Sequence, residues 1–320
     1  MKKKSTKSFY FACAVIVFIV LLAIFGGMLK PHGLANADKV VLITEIIHGK
    51  MIGKTPPYSP NATYLLGTDH RGFDMLSLLL NGLKYTLVNA GLLTAFRFMF
   101  AIPLGMWSGT TGRGAEGLRV MQWVISAVPV FLFVYPPLSG LFFGLGLNEI
   151  DKANPHDFQL FTIVFFVMVT VLGVFPLAYQ IAERARFYNR KPYVDASRLM
   201  GGTAFHRILR HIVTNMRLEL LFMAISEFIL VLFLMGQLAI FNLIIGGSET
   251  LVMVDKLVPG EVPYLIYLTK TGEWTAMIAY GAKYIQVYPY IVIESGIAFA
   301  LLILSLQFFL YQFKKQNKGN

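Results

Sequence analysis

Six long apolar runs dominate the chain: Phe9 to Leu29, Leu83 to Trp107, Leu118 to Leu147, Phe158 to Ala182, Leu218 to Ile245 and Tyr288 to Phe313. Each reaches or passes the roughly 20 residues that an α-helix needs to cross the hydrocarbon core of a bilayer. The pattern predicts an all-α membrane protein with six transmembrane helices. It divides the chain into residues 1–29, holding a cytoplasmic N-terminus and first helix; an extracytoplasmic segment, 30–82; a helical core, 83–313; and a cytoplasmic tail, 314–320. The basic flank of the first run (Lys2, Lys3, Lys4 and Lys7) would also suit a cleavable signal peptide, but a 21-residue run is long for one and favours a retained helix.

Composition agrees with this reading. Hydrophobic residues make up 56% of the chain and charged residues only 14%, whereas a soluble domain carries about a quarter of its residues as charges. The net charge of +11 points to nucleic acid or anionic lipid unless topology explains it. With the N-terminus inside, the cytoplasmic segments, with Arg119 at a border, hold 17 of the 28 Lys and Arg, the outer segments, with Lys84 at a border, 10, and Arg97 lies within a span. This asymmetry fits the positive-inside rule with both termini cytoplasmic, and it leaves no call for nucleic acid. Cys13 is the only cysteine, which excludes an intrachain disulfide and a cysteine-rich metal site.

Between the runs, Pro31, Pro56, Pro57 and Pro60 break residues 30–82 into turns and extended pieces, and Tyr64 to Tyr85 reads as an interfacial helix leading into the second span. The segment after the fifth run carries Gly246, Gly247, Pro259 and Pro263, then an aromatic-rich stretch from Tyr280 to Tyr290 that suits either a bilayer interface or a ligand contact. In the cytoplasmic loop 183–217, Pro192 opens a helix running to Met200, Gly201-Gly202 breaks it, and Thr203 caps a second helix. In that second helix Phe205, Ile208, Leu209, Ile212, Val213 and Met216 keep one apolar face, with His206, Arg207, Arg210 and His211 on the other side. Periodicity alone fits a partner-binding helix and a basic helix lying on anionic lipid equally well.

The order of residues in this loop, Asp195-Ala196-Ser197-Arg198-Leu199-Met200-Gly201 followed by Phe205, Arg207, Ile208, Arg210, His211, Ile212 and Asn215, resembles the Glu-Ala-Ala loop of bacterial ABC importer permeases. Upstream, Leu66-Gly67-Thr68-Asp69-His70-Arg71-Gly72-Phe73-Asp74-Met75-Leu76-Ser77 is similar to the segment before the second span in C-type permease subunits of dipeptide, oligopeptide and nickel importers. With Gly272-Glu273-Trp274, the resemblance covers residues 64 to 313. Asp195, Ser197, Gly202, Phe73 and Thr214 depart from the usual Glu, Ala, Ala, Arg and Pro, which leaves the branch of the family, and so the cargo, open.

The resemblance implies a type I-like permease bundle in a bacterial cytoplasmic membrane, surrounded by membrane lipid and forming half of a translocation pathway beside a homologous second permease subunit. Two ATPase subunits, which bind ATP and Mg, would drive it, and an extracytoplasmic substrate-binding protein would deliver cargo. Asp195, Ala196, Ser197, Arg198, Leu199, Met200, Gly201, Gly202, Thr203, Ala204, Phe205 and His206 would form the ATPase-coupling element. Gly67, Thr68, Asp69, Gly72 and Asp74 would shape a docking surface for the binding protein, or else a turn that caps the bundle. Peptides are the expected cargo, with nickel or a metal chelate as the alternative.

Other signals are weaker. Gly53-Lys54-Thr55 lacks the earlier glycine of a phosphate loop, since His48 stands there, so the chain is expected to bind no nucleotide or other cofactor itself. His206 and His211 sit among arginines and read as a solvated face, and no metal is expected. Asn61-Ala62-Thr63 matches a glycosylation acceptor that has no meaning in a bacterium. Arg97, Glu227 and Glu294 are ionisable groups inside spans, costing about 2.5–3.5 kcal/mol each at a helix centre, and either line the pathway or pair with other polar groups. In a self-contained secondary transporter or channel the same three would form a relay. Gly105 with Gly109, and Gly140 with Gly144, have the spacing of close helix packing. No nucleophile and base, metal cluster or carboxylate pair marks an enzyme.

Overall fold

The computed structural model describes residues 6–40, 42–47, 50–147, 155–244, 247–253, 264–269 and 271–317. The expected turns at Gly246, Pro259 and Pro263, and lysines 2 to 4, lie outside the described residues. The elements in chain order are α1 (Thr6–Leu29), a short 3-10 turn (Asn36–Asp38), β1 (Ile43–Ile47), β2 (Lys50–Lys54), α2 (Met75–Thr111), α3 (Ala115–Ser126), α4 (Val130–Gly144), α5 (Pro155–Asn189), α6 (Pro192–Leu199), α7 (Ala204–Arg207), a π-helical turn (Ile208–Ile212), α8 (Val213–Ile240), β3 (Gly247–Met253), β4 (Tyr264–Thr269), α9 (Trp274–Lys283) and α10 (Pro289–Asn317).

The molecule is mostly helical. Five helices, Lys7–Leu29, Met75–Thr111, His156–Asn189, Ala204–Ile240 and Pro289–Asn317, are long and apolar enough to cross a membrane, and α3 with α4 makes a sixth if that bent pair is one span. These helices are compatible with a multi-pass membrane protein. Three expectations need correction. The chain is not all-α: β1 pairs antiparallel with β2 from Ile43↔Lys54 to Ile47↔Lys50, and β3 pairs antiparallel with β4. The run from Leu118 to Leu147 is no straight span, because α3 and α4 meet at 76°. Pro129 lies at the junction, where it lacks an N–H for the helix ladder and disfavours helical backbone at Val128. Nor does Tyr64 open a helix: Gly67 and Gly72 both have positive φ, and α2 begins only at Met75.

The chain divides into two compact units, one formed by Met1–Asn89, Leu145–Phe158 and Met235–Asn320, the other by Ala90–Gly144 and Gln159–Leu234. In the first, α1 lies along α10, with Phe9 stacked on Phe313 at 6.1 Å between ring centroids. In the second, α2 meets α5 through Gly105 and Gly109. A Cβ at either glycine would stand 2.8 Å from the Cβ of Ile181 or Ala185, respectively, so side chains there would force the helices apart. Gly140 and Gly144 share the spacing but not the role, since a Cβ at either meets nothing within 4 Å. Met106, Leu177, Ile181, Ile208, Ile212 and Met216 belong to the buried core of this second unit.

Candidate functional site

In the first unit, residues 67–77 form a tight turn whose polar groups face inward. The Asp69 carboxylate accepts the N–H groups of Arg71 and Phe73, each at 2.9 Å, and the Arg71 Nε at 2.8 Å. Arg71 in turn donates from Nη2 to the Thr269 carbonyl at 2.9 Å, and both charged side chains are buried. Asp74 caps α2, accepting the Ser77 N–H at 3.1 Å and the Ser77 hydroxyl at 2.6 Å, and it faces His32 Nδ1 at 3.2 Å. Thr68 is tied to Tyr58 by two hydrogen bonds, and its carbonyl accepts the Tyr290 hydroxyl at 3.1 Å. Buried charges are tolerable only when paired and hydrogen-bonded, and here each acid is saturated. The segment thus has the internal hydrogen bonding of a turn at the start of α2.

The same unit holds two arrangements built on residues that the motif reading named without showing how they pair. Glu273 is fully buried at the start of α9, where its carboxylate accepts the N–H groups of Thr275 (3.1 Å) and Ala276 (2.8 Å) and the hydroxyls of Thr86 (2.8 Å) and Thr275 (2.5 Å). Burial pushes its pKa up, and the four donors oppose that shift. Trp274 adds a bond from its indole N–H to the Leu79 carbonyl at 2.8 Å, locking α9 to the first turns of α2. Nearby, the His70 ring is surrounded by Tyr280, Tyr284 and Tyr288, with centroids 4.4 to 5.5 Å away. Its backbone N–H donates to the Tyr280 hydroxyl oxygen at 3.0 Å, while Nδ1 meets the same hydroxyl. Burial holds the imidazole down to about 4, so it is neutral at physiological pH and Nδ1 can accept the hydroxyl proton.

In the second unit the ionisable groups inside spans are brought together. Arg97 pairs with Glu227, and its Nε and Nη2 donate to the Val169 carbonyl at 3.2 and 2.7 Å. Both side chains are buried, and Gly173 leaves the space that the guanidinium fills. The pair ties α2, α5 and α8 together, as the pairing alternative requires. Glu294 does not join it. That residue is half-buried on α10 in the first unit, and its Oε2 has no hydrogen-bond partner among the described residues.

The turn between α5 and α8 has the opposite character. α6 ends in a Schellman motif: the Gly202 N–H bonds the Ser197 carbonyl at 2.8 Å and the Gly201 N–H bonds the Arg198 carbonyl at 3.0 Å. Gly201 has φ 85°, which the motif demands, and a Cβ at Gly202 would stand only 2.6 Å from Ser197 Oγ. Thr203 accepts the His206 N–H at 3.2 Å and so caps α7, as its position implied. Val194, Ser197, Ile208 and Ile212 are buried and root the turn, and Arg207 clamps it by donating to the Gly202 carbonyl at 2.9 Å. Against that rigid base Leu199 is 89% exposed, Met200 82%, Phe205 65% and Leu209 53%. Asp195 and Arg198 pair with one another at 3.2 Å on the exposed side, and Ala196 is exposed beside them.

Sequence reasoning found the Gly201 break and the Thr203 cap. It named Glu273 only within a family-like segment and not as a buried cap, because glutamate is not among the preferred N-cap residues, and it did not pair His32 with Asp74 or Tyr280 with His70, which are remote from one another in sequence. No family model matches the chain, and no curated protein matches it.

Proposed function

We propose that this chain is a permease subunit of an ATP-driven importer, carrying peptides across a bacterial cytoplasmic membrane with both termini inside. It works beside a second permease subunit, two ATPase subunits that hydrolyse ATP, and an external binding protein. The observation that carries the reading is the exposed apolar turn at Leu199 and Met200, set on a base of buried residues. Exposed apolar side chains held in one geometry are the mark of a protein docking site.

The lipid alternative loses its main support, because the apolar stripe offered by periodicity is divided. Ile208, Ile212 and Met216 face this chain's own core, leaving only Phe205 and Leu209 exposed along that helix. A helix lying in a bilayer surface needs a continuous apolar face. The relay expected of a self-contained transporter is also poorly served, since Arg97 and Glu227 are consumed by each other and by Val169.

Single cysteines placed from 195 to 206, in a cysteine-free background, should cross-link to ATPase subunits co-expressed with the permease, most strongly at Leu199 and Met200. An intact complex giving no cross-link across this window defeats the proposal.

A further inference from the structure

We infer that the partner cleft receiving the turn has an apolar floor and a rim of carboxylates, so that arginines of this chain, and not its aspartate, carry the charged part of the contact. This rests on the docking reading above and specifies its chemistry. Between residues 190 and 217 the only acid is Asp195, and its carboxylate is already engaged by Arg198 within the same helix. The same stretch holds Arg190, Lys191, Arg198, Arg207, Arg210 and Arg217.

Not all of these cations are available. Arg207 is turned onto the Gly202 carbonyl and Lys191 lies over the Phe187 ring at 4.2 Å. Arg190 and Arg210 are exposed and have no ion-pair partner among the described residues. The His206 ring stands 5.7 Å from His211, which is 6.3 Å from Tyr193, so a polar row borders the apolar one. A turn that exposes Leu199 and Met200, in a segment that also carries two exposed arginines with no ion-pair partner among the described residues, is complementary to an apolar surface with negative edges. Such edges favour association through steering that salt weakens. An anionic lipid surface would match the charge but less well the apolar groups, for Leu199 and Met200, the most exposed of them, sit at a turn and not along a helix face.

The test uses the full-length permease in nanodiscs and co-expressed ATPase subunits added back at 50 and 300 mM NaCl. Arg190→Glu with Arg210→Glu should weaken binding at least tenfold at low salt and flatten its salt dependence. Arg190→Gln with Arg210→Gln should give a smaller loss, with the thermal unfolding profile unchanged in both. A change below twofold, with cross-linking from Met200→Cys retained, overturns this inference and leaves the docking reading standing. Loss of that cross-link from an otherwise intact wild-type-charge complex overturns both. If protection of Met200→Cys from a water-soluble thiol reagent instead follows the phosphatidylserine content of the nanodisc, without ATPase, the lipid occupant replaces the protein one.

Discussion

The turn at residues 67–77 and the turn at 190–212 are both short, glycine-containing reversals at the end of a long helix, yet they dispose of their side chains in opposite ways. The first folds its acids inward, where Asp69 holds Arg71 and Asp74 caps α2. The second folds Val194, Ile208 and Ile212 inward and leaves Leu199 and Met200 in the open. A turn whose polar groups are buried and hydrogen-bonded within the chain has little left to offer a partner, whereas apolar groups held in the open are available to one. Motif resemblance offered the first segment as a docking surface or a capping turn and the second as a coupling element, and of the two only the second exposes large apolar side chains.

The comparison breaks most visibly at Asp69. Asp69→Ala would take from the buried Arg71 guanidinium the carboxylate that pairs with it, while the Thr269 carbonyl and the Phe73 ring stay beside it, and should cost about 3–5 kcal/mol, the range for breaking a buried ion pair by removing one member. Leu199→Ala, at a site 89% exposed, should stay within about 0.5 kcal/mol. Chemical unfolding of the two variants in detergent checks the pair. Similar losses in both would mean that the exposed turn is as structural as the buried one.

A finer test lies in the two glycines of the second turn. Gly201→Val meets no neighbour but must adopt φ 85°, at about 1–2 kcal/mol. Gly201→Asn should recover most of that, since asparagine tolerates this region. Gly202→Val would press its Cβ onto Ser197 and is expected to be at least as harmful. ATPase co-purification, with membrane insertion as control, ranks the three variants; a normal Gly202→Val complex would contradict the close approach seen there.

A further effect concerns pH. Because burial lowers His70 from 6.5 to about 4, the unfolded chain binds a proton between these values that the folded chain refuses. Stability from this group is complete above pH 6.5 and is lost as the pH falls toward 4. Melting temperatures at pH 7 and pH 5 should therefore differ less in His70→Gln than in the wild type, and the second turn's docking should not follow that difference.

How much of this was legible in the sequence depends on the range of the interaction. The α6 helix from Pro192, the Gly201 reversal and the Thr203 cap are local, set by propensities and hydrogen bonds spanning a few residues, and they could be read directly. Asp69 and Asp74 bond mostly to residues two to four positions away, but their burial was not local. Whether a carboxylate near a helix start faces solvent or a buried arginine is decided by Thr269, His32 and Tyr290, which arrive from distant parts of the chain. Glu273 is the clearest case: its hydroxyl partner Thr86 lies 187 positions away.

Apolar run lengths by themselves determined that the chain has helices long enough to cross a membrane, and its charge distribution predicts which way they would face, because both depend on counting residues along the chain. Only the tertiary structure decided that α3 and α4 bend, that Arg97 finds Glu227, and that the stripe from Phe205 to Met216 is split between core and surface. Helical periodicity says which residues share a face; which part of that face is covered depends on the helices that pack against it.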